Sequence, residues 1–396
     1  MKSRRSGWSG RPGFGYGVAR RLTFCGCTAL LLGGSVGGAI AKEPAAVPQT
    51  LAEAVLVARG LAAATPAQGN AGLAASADRV AVIPATWILP CLDAFRDATP
   101  TGANWLRSGL ERAFATAGGA VKADDLVATV TNKALPPRAR SLAYTWLKLR
   151  DRDRAEAVIA GMLDDVALDL RREAVERLLA STASGDEAAR KETHRQALAA
   201  ARDVDQIEQI AGWLAEHGEK IDLAAAMGFV RRWRVSGEFD NLKGIGFAKA
   251  YPPEETPARP DATAWKQVDS ADKHGAIDLN TAVATKKGVL AYAVAEIEMP
   301  RAGPAEVRIG SPCAVAVWVN GKQVMGHEIY HASEAIDQYV AGAEFRAGRN
   351  VVLVKCCQNE QTESWAADWK FQLRICDPLG TPLATQTGGN DDDTVR

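Results

Sequence analysis

The stretch GVLAYAVAEIEM (Gly288–Met299), followed by AEVRIGS (Ala305–Ser311) and AVAVWVNGKQVM (Ala314–Met325), decides the architecture. Val, Ile, Trp and Tyr come in short runs with no helical segment between them, and that grammar builds strands. Asn320-Gly321 separates VAVWV from KQVM. Both residue types tolerate positive φ, so a two-residue type I′ hairpin is predicted there. GRNVVLVKCC (Gly348–Cys357) and WKFQLRIC (Trp369–Cys376) continue the pattern. Short strands at this spacing predict two packed antiparallel layers, a β-sandwich or jelly roll, over residues 228–383. The polar end, residues 384–396, is predicted to be a disordered tail.

Upstream the grammar changes. Residues 51–227 are rich in Ala, Leu, Arg and Glu. Leu106, Leu110 and Phe114 recur at helical spacing, as do Leu142, Trp146 and Leu149 after Pro136-Pro137, a favourable helix start. Leu170, Ala174, Val175, Leu178 and Leu179 form another stripe, and Ile207, Ile210, Ala211 and Leu214 a further one. Short helices joined by brief polar turns predict a stacked antiparallel array. Residues 63–80, Ala-rich with two glycines, are expected to be a flexible loop, and residues 42–50 a linker. The fold class is α plus β multidomain.

The 47 Lys+Arg and 47 Asp+Glu of the 396 residues cancel, but unevenly. Residues 1–41 hold Lys2, Arg4, Arg5, Arg11, Arg20 and Arg21 and no acid; subtracting those six leaves 41 basic against 47 acidic side chains, a net of −6. An acidic body lacks the basic stripe with which a nucleic-acid binder displaces counterions. The first 41 residues read as an export signal: a basic n-region ending at Arg20-Arg21, an apolar run Leu22–Ala41, and the small-x-small site Ala39-Ile40-Ala41. The competing reading is an uncleaved anchor, since about 20 apolar residues can span a bilayer. No second long apolar run follows, so no membrane span is expected after cleavage. Beyond the signal stand Cys91, Cys313, Cys356, Cys357 and Cys376, without a CxxC pair. If 351–358 and 369–376 form a simple hairpin, Cys376 and Cys357 lie too far apart to bond. The cysteines are expected to be small buried hydrophobes.

The segment DDVALDLRREAVERLLA (164–180) resembles one unit of a HEAT-type repeat. In the C-terminal half, WRVSGEFDN (233–241), YPPE (251–254), WVNGK (318–322), DQYV (337–340), AGRNVVLVK (347–355) and WKFQLRICDPLG (369–380) together resemble a module of exported bacterial proteins. That module is a galactose-binding-like β-sandwich, related to the sugar-binding domain of some glycoside hydrolases. Glu238 departs from it, standing where the family usually has proline. The resemblance implies a binding fold rather than a particular ligand.

Several residues carry two readings. Trp318 is expected in the core rather than as a sugar platform. Lys355, on a strand otherwise of Val and Leu, is expected to snorkel at an edge. Asp240-Asn241 could ligate calcium or form a self-bonded turn. Trp365, in the loop QNEQTESWAADW (358–369) beside Glu360, Glu363 and Asp368, suits stacking on a sugar ring, and Tyr330 and Tyr339 could extend that surface. His327-Glu328-Ile329-Tyr330-His331 reads H-E-x-x-H, which on a helix would hold zinc and activate water. Against it stand Gly326, a poor helix start, and the want of an evident third ligand. His194 and His217 are expected to be solvated.

The expected protein is exported, periplasmic or extracellular, non-catalytic and without a cofactor. Its β-sandwich would bind a carbohydrate or cell-envelope partner, and its helical array a protein. A zinc metallopeptidase and a pure structural scaffold are the alternatives.

Overall fold

The computed structural model describes residues 47–181, 185–255, 265–383 and 386; the expected export signal and nearly all of the expected tail lie outside them. The described residues belong to one compact unit. Its first half is helical: α1 (Leu51–Ala62), α2 (Asn70–Ala81), α3 (Ala85–Cys91), α4 (Pro100–Ala117), α5 (Ala123–Thr131), α6 (Pro137–Arg150), α7 (Arg152–Ile159), α8 (Leu168–Ser181), α9 (Glu187–Ala200), α10 (Val204–Glu216) and α11 (Leu223–Met227). From α5 to α10 each helix packs on the next. Side-chain caps start several of them: the Thr50, Thr99, Asp151 and Asp186 oxygens accept from the backbone N–H three residues on, satisfying donors the first turn leaves free.

Leu106, Leu110 and Leu142 are buried, and Phe114 stacks on Trp146 with ring centroids 4.4 Å apart. Leu149 departs from expectation and is 75% exposed. The buried face of α6 runs through Ala139, Ala143 and Leu147, and two residues past Leu147 lie about 200° round the helix. Residues 63–80 also differ. They form a short 3-10 turn, Pro66–Gln68, and α2, whose Leu73, Ala77 and Val80 are buried. A Cβ on Gly109 of α4 would stand 3.0 Å from the Ala77 carbonyl oxygen. The small residues that read as loop are what let these helices touch. Arg140, fully buried, donates its fork to Asp165 at 2.8 and 2.7 Å and its Nε to the Val130 carbonyl at 2.8 Å. That pair lies at the heart of the array.

The second half is built from β1 (Arg232–Val235), β2 (Phe239–Asp240), β3 (Lys266–Asp269), β4 (Ile277–Asp278), β5 (Val289–Met299), β6 (Gly303–Gly310), β7 (Ala314–Val319), β8 (Lys322–His327), β9 (Tyr339–Phe345), β10 (Gly348–Cys357) and β11 (Lys370–Cys376). Short helices α12 (Ile245–Ala248), α13 (Pro252–Glu255) and α14 (Leu279–Ala282) interrupt them. Two antiparallel sheets result: seven strands ordered β3-β1-β5-β10-β7-β8 with β2 on β5, and four ordered β4-β11-β6-β9. Their shared core interleaves Ala293, Val317 and Val354 of the larger sheet with Val307, Phe371 and Leu373 of the smaller. Asn320 and Gly321 have φ of 50° and 81°, as the tight hairpin between β7 and β8 requires.

β10 and β11 do not form a hairpin. β10 lies between β5 and β7, whereas β11 lies between β4 and β6 in the other sheet, so residues 358–369 cross from layer to layer. The five described cysteines are buried free thiols. The larger sheet is covered on both faces, which is why β7 is buried at every position. Its outer face carries Leu290, Tyr292, Trp318, Leu353 and Cys357, packed under Phe239, Phe247, Tyr251 and Trp265. Trp318 therefore belongs to a second core. Lys355 does not snorkel: it is 1% exposed. Its ammonium donates to the carbonyls of Phe247 and Lys249 and to Glu254, each at 2.8 Å. The two halves meet where Val230 N–H donates to the Leu373 carbonyl at 2.9 Å and Arg374 to that of Met227 at 3.3 Å.

Candidate functional site

At one end of the sandwich three connections converge: the turn 240–246 after β2, the 328–338 loop joining β8 to β9, and the 358–369 crossing. Asp240 Oδ1 accepts from Leu242 N–H at 3.0 Å, an Asx turn that bends the chain at once. Asn241, fully buried, turns its amide nitrogen inward and donates to the Tyr330 hydroxyl at 3.2 Å and the Gln358 carbonyl at 3.0 Å. One side chain thus ties all three connections. Asn241 Oδ1 lacks a donor and faces Gly246, where a Cβ would stand 2.9 Å away. Only glycine fits that approach. Lys243 N–H donates to Glu360, a second tie between the first and third connections.

The second and third are joined again at His331. Asn359 Oδ1 already accepts from Gln361 N–H, so His331 is the donor to it, through Nε2–H at 2.8 Å. The His331 ring then stands edge-on to Trp365, centroids 5.0 Å apart at 89°. Trp365 sits in a 3-10 turn, Ser364–Ala366, and is 61% exposed. Lys287 holds the turn from behind, donating to the Ala366 carbonyl at 2.6 Å. Burial pushes the Tyr330 phenol up to about 12, against the pull of the Asn241 amide.

Of the residues singled out from sequence, Asn241, Tyr330 and Trp365 share this interlocked end, and Asp240 shapes the turn beneath it. Tyr339 stands apart, at the root of the 328–338 loop, where its ring stacks on His327 at 4.0 Å. The H-E-x-x-H motif does not present two imidazoles on one helical face. His327 closes β8, His331 has φ of 57°, and each ring is engaged by a different neighbour. Among the described residues no group of three or more His, Cys, Asp or Glu side chains is arranged to hold a metal ion. The Asn241 amide nitrogen is committed to protein partners, and its Oδ1 is turned onto Gly246.

Sequence reasoning missed the aliphatic part of this surface. Leu242, Ile245 and Ile329 are each about half exposed, on the two connections that are tied to the Trp365 crossing. The available signal was a set of large aliphatics in short segments beside Gly244, Gly246 and Gly326, with no strand period to bury them. It also missed the Lys355–Glu254–Tyr292 group under the 245–255 segment, in which the Tyr292 hydroxyl donates to Glu254 and burial drives the Tyr292 phenol far up. A lysine inside an otherwise apolar strand was its only trace. His194 and His217 are half-buried rather than free in water: both rings stack on Trp213, at 3.6 and 3.7 Å, with each Nδ1–H on the carbonyl four residues earlier.

The helical array offers a separate cleft of about 380 Å³ between α4, α6 and α8, lined by Asn104, Arg107, Arg138, Tyr144, Asp169 and Glu173. No helix among the described residues is long and apolar enough to cross a membrane.

No family model matches the chain, and no curated protein matches it. Among solved structures it is similar to the GH31 alpha-xylosidase from Xanthomonas citri, at 11% identity and a TM-score of 0.19, over 37% of this chain and 16% of that one. The chain thus spans about a sixth of the enzyme it matches, and a likeness of this size carries no argument about fold or activity.

Proposed function

We propose that this chain is an exported, non-catalytic binding protein. In this reading the loop end of its β-sandwich, a galactose-binding-like module, recognises carbohydrate. The observation that carries the reading is Trp365. A large aromatic ring is 61% exposed, yet its turn is fixed at His331 and Lys287 and flanked by exposed Glu360 and Glu363. A rigid exposed ring beside polar acceptors supplies what sugar recognition needs: an apolar face for C–H groups and oxygens for the hydroxyls. The signal-like residues 1–41 would deliver the protein across the membrane.

The test is a glycan array with the full chain, followed by calorimetric titration of the best ligand. Trp365→Ala is expected to weaken binding at least tenfold while leaving the urea midpoint nearly unchanged. Failure of every glycan to bind, or equal binding by the variant, overturns the reading. A protein partner at the same end is a second reading, favoured by Leu242, Ile245 and Ile329, since sugars rarely meet that much aliphatic surface. The helical cleft would then be a separate protein contact. The peptidase alternative lacks its geometry: His327 and His331 sit on a strand end and in a left-handed bend, not on one helical face.

A further inference from the structure

Two cysteines lie inside the sandwich, in one core, where β7 begins and β10 ends. Cys356 pairs with Val315 across the β10–β7 ladder, and Cys357 with Ala314. Alternation puts Val315, and with it Cys313, on the same face as Cys356, one step along the diagonal. That is the face toward the smaller sheet; Cys313 and Cys356 share its core, whereas Cys357 points the other way, among Leu290 and Tyr292. Cys313 precedes β7, on a bend at 312–313 that the ladder does not hold, so the diagonal offset can close.

The surroundings bring the sulfurs together. The two cysteines share a polar neighbour. Both lean on Ser311, whose hydroxyl accepts from Cys313 N–H at 3.0 Å and lies 3.9 Å from Cys356 Sγ. Cys313 Sγ donates to the Asp368 carbonyl at 3.3 Å and Cys356 Sγ to that of Lys370 at 4.0 Å. Two cysteines on one face of neighbouring strands, sharing Ser311 and one of them on a bend outside the ladder, can be brought to disulfide geometry.

We propose that Cys313 and Cys356 form a disulfide when the protein meets a small-molecule disulfide such as oxidised glutathione. One cysteine, as thiolate, attacks the oxidant and releases one glutathione thiol. The other attacks the mixed disulfide and releases the second. One S–S bond forms in the protein and one breaks in the oxidant; the two cysteines lose two electrons and two protons, and the oxidant gains them as two thiols. The bond staples the start of β7 to the end of β10 at the base of the 358–369 crossing, and it removes the Cys313 donor from the Asp368 carbonyl. This inference does not depend on what the Trp365 end binds.

The full chain, with its seven cysteines, is refolded from urea in a buffer of oxidised and reduced glutathione, so that burial of the thiols does not limit access. It is then quenched, alkylated and mapped by mass spectrometry. The expected result is a linked Cys313–Cys356 peptide lighter by two hydrogens, with Cys91, Cys357 and Cys376 alkylated. The urea midpoint of wild type should rise on oxidation, and that of Cys313→Ala should not respond. Full alkylation of Cys313 and Cys356, or linkage of either to a different cysteine, overturns the proposal on the wild-type chain alone, whether or not the variant folds.

Discussion

Replacing Lys355 by methionine tests the claim that one cation fastens the outer cover of the larger sheet. The side chain is 1% exposed, and all three ammonium hydrogens are used, on Phe247 O, Lys249 O and Glu254, each at 2.8 Å. Methionine keeps most of the stem volume, so the core of Tyr251, Tyr292 and Trp318 suffers little. What changes is that two carbonyls and one carboxylate lose the ammonium, the carboxylate keeping the Tyr292 hydroxyl. Removing one partner of a buried ion pair costs about 3–5 kcal/mol, chiefly because the remaining charge is stranded. The carbonyls, each losing a bond to a charged donor worth about 1.5–3 kcal/mol, can relax toward water, so we keep about 3–5 kcal/mol for the whole change. If stranding is the cause, removing the charge as well should recover much of it. Lys355→Met with Glu254→Gln is therefore expected to lose only about 1–2 kcal/mol. Urea unfolding of wild type, single and double variants, followed by near-ultraviolet circular dichroism, measures both numbers. A single variant that loses less than about 1 kcal/mol, or a double variant no better than the single, would refute the reasoning.

Other expectations follow from the same contacts. Gly102→Ala puts a Cβ 1.9 Å from the Ala62 carbonyl oxygen and should destabilise by about 2–3 kcal/mol. Gly72→Ala, in α2 with open space around it, should stabilise by about 0.5–1 kcal/mol; equal effects on the urea midpoint would contradict the packing of α1 on α4. Burial raises the Asp165 carboxyl, but the Arg140 fork and the Ala167 N–H outweigh it and hold it below its ordinary range; Asp337 is held low in the same way by Arg374 and Arg308. Because both native values are depressed, their stability contribution is complete above the unfolded carboxyl range, about pH 4, and is lost as pH falls through the native values. The urea midpoint should thus fall steeply below about pH 4, and Asp337→Asn should flatten part of that limb. An unchanged acid limb in the variant would count against the Arg374–Asp337–Arg308 network. Trp365→Ala should shift stability by no more than about 0.5 kcal/mol, since the ring lies mostly in water.

Much of the architecture was legible before any coordinates. The change of grammar near residue 228, the helical stripes through Leu106–Phe114 and Ile207–Leu214, and the Asn320-Gly321 turn are local signals, and local signals survive folding. What was not legible depended on partners distant in sequence. Residues 63–80 read as a loop because alanine and glycine carry little periodicity; their helix is decided by the close approach of α4. Lys355 read as an edge residue because nothing in its strand reveals that residues 245–255 fold over it. The β10–β11 connection left a simple hairpin open because no local feature marks a chain that changes sheets. In the candidate site, Trp365, Tyr330 and Asn241 stood out by residue type, but their interlock through Gln358, Asn359 and Glu360 is a product of the tertiary structure. The stacking of His194 and His217 on Trp213 was hidden for the same reason: α9 and α10 must first lie side by side.

The segment from Asn241 to Glu255 has two duties. At one end it forms a wall of the loop surface; a few residues on, it roofs the outer core and is tethered from below by a single buried amine. In the proposed reading, recognition and integrity therefore share one stretch of backbone. Evolution cannot freely redraw the contour of that wall without risking a leak in the roof, so on that reading variation in specificity should concentrate at position 365 itself, whose ring lies mostly in water.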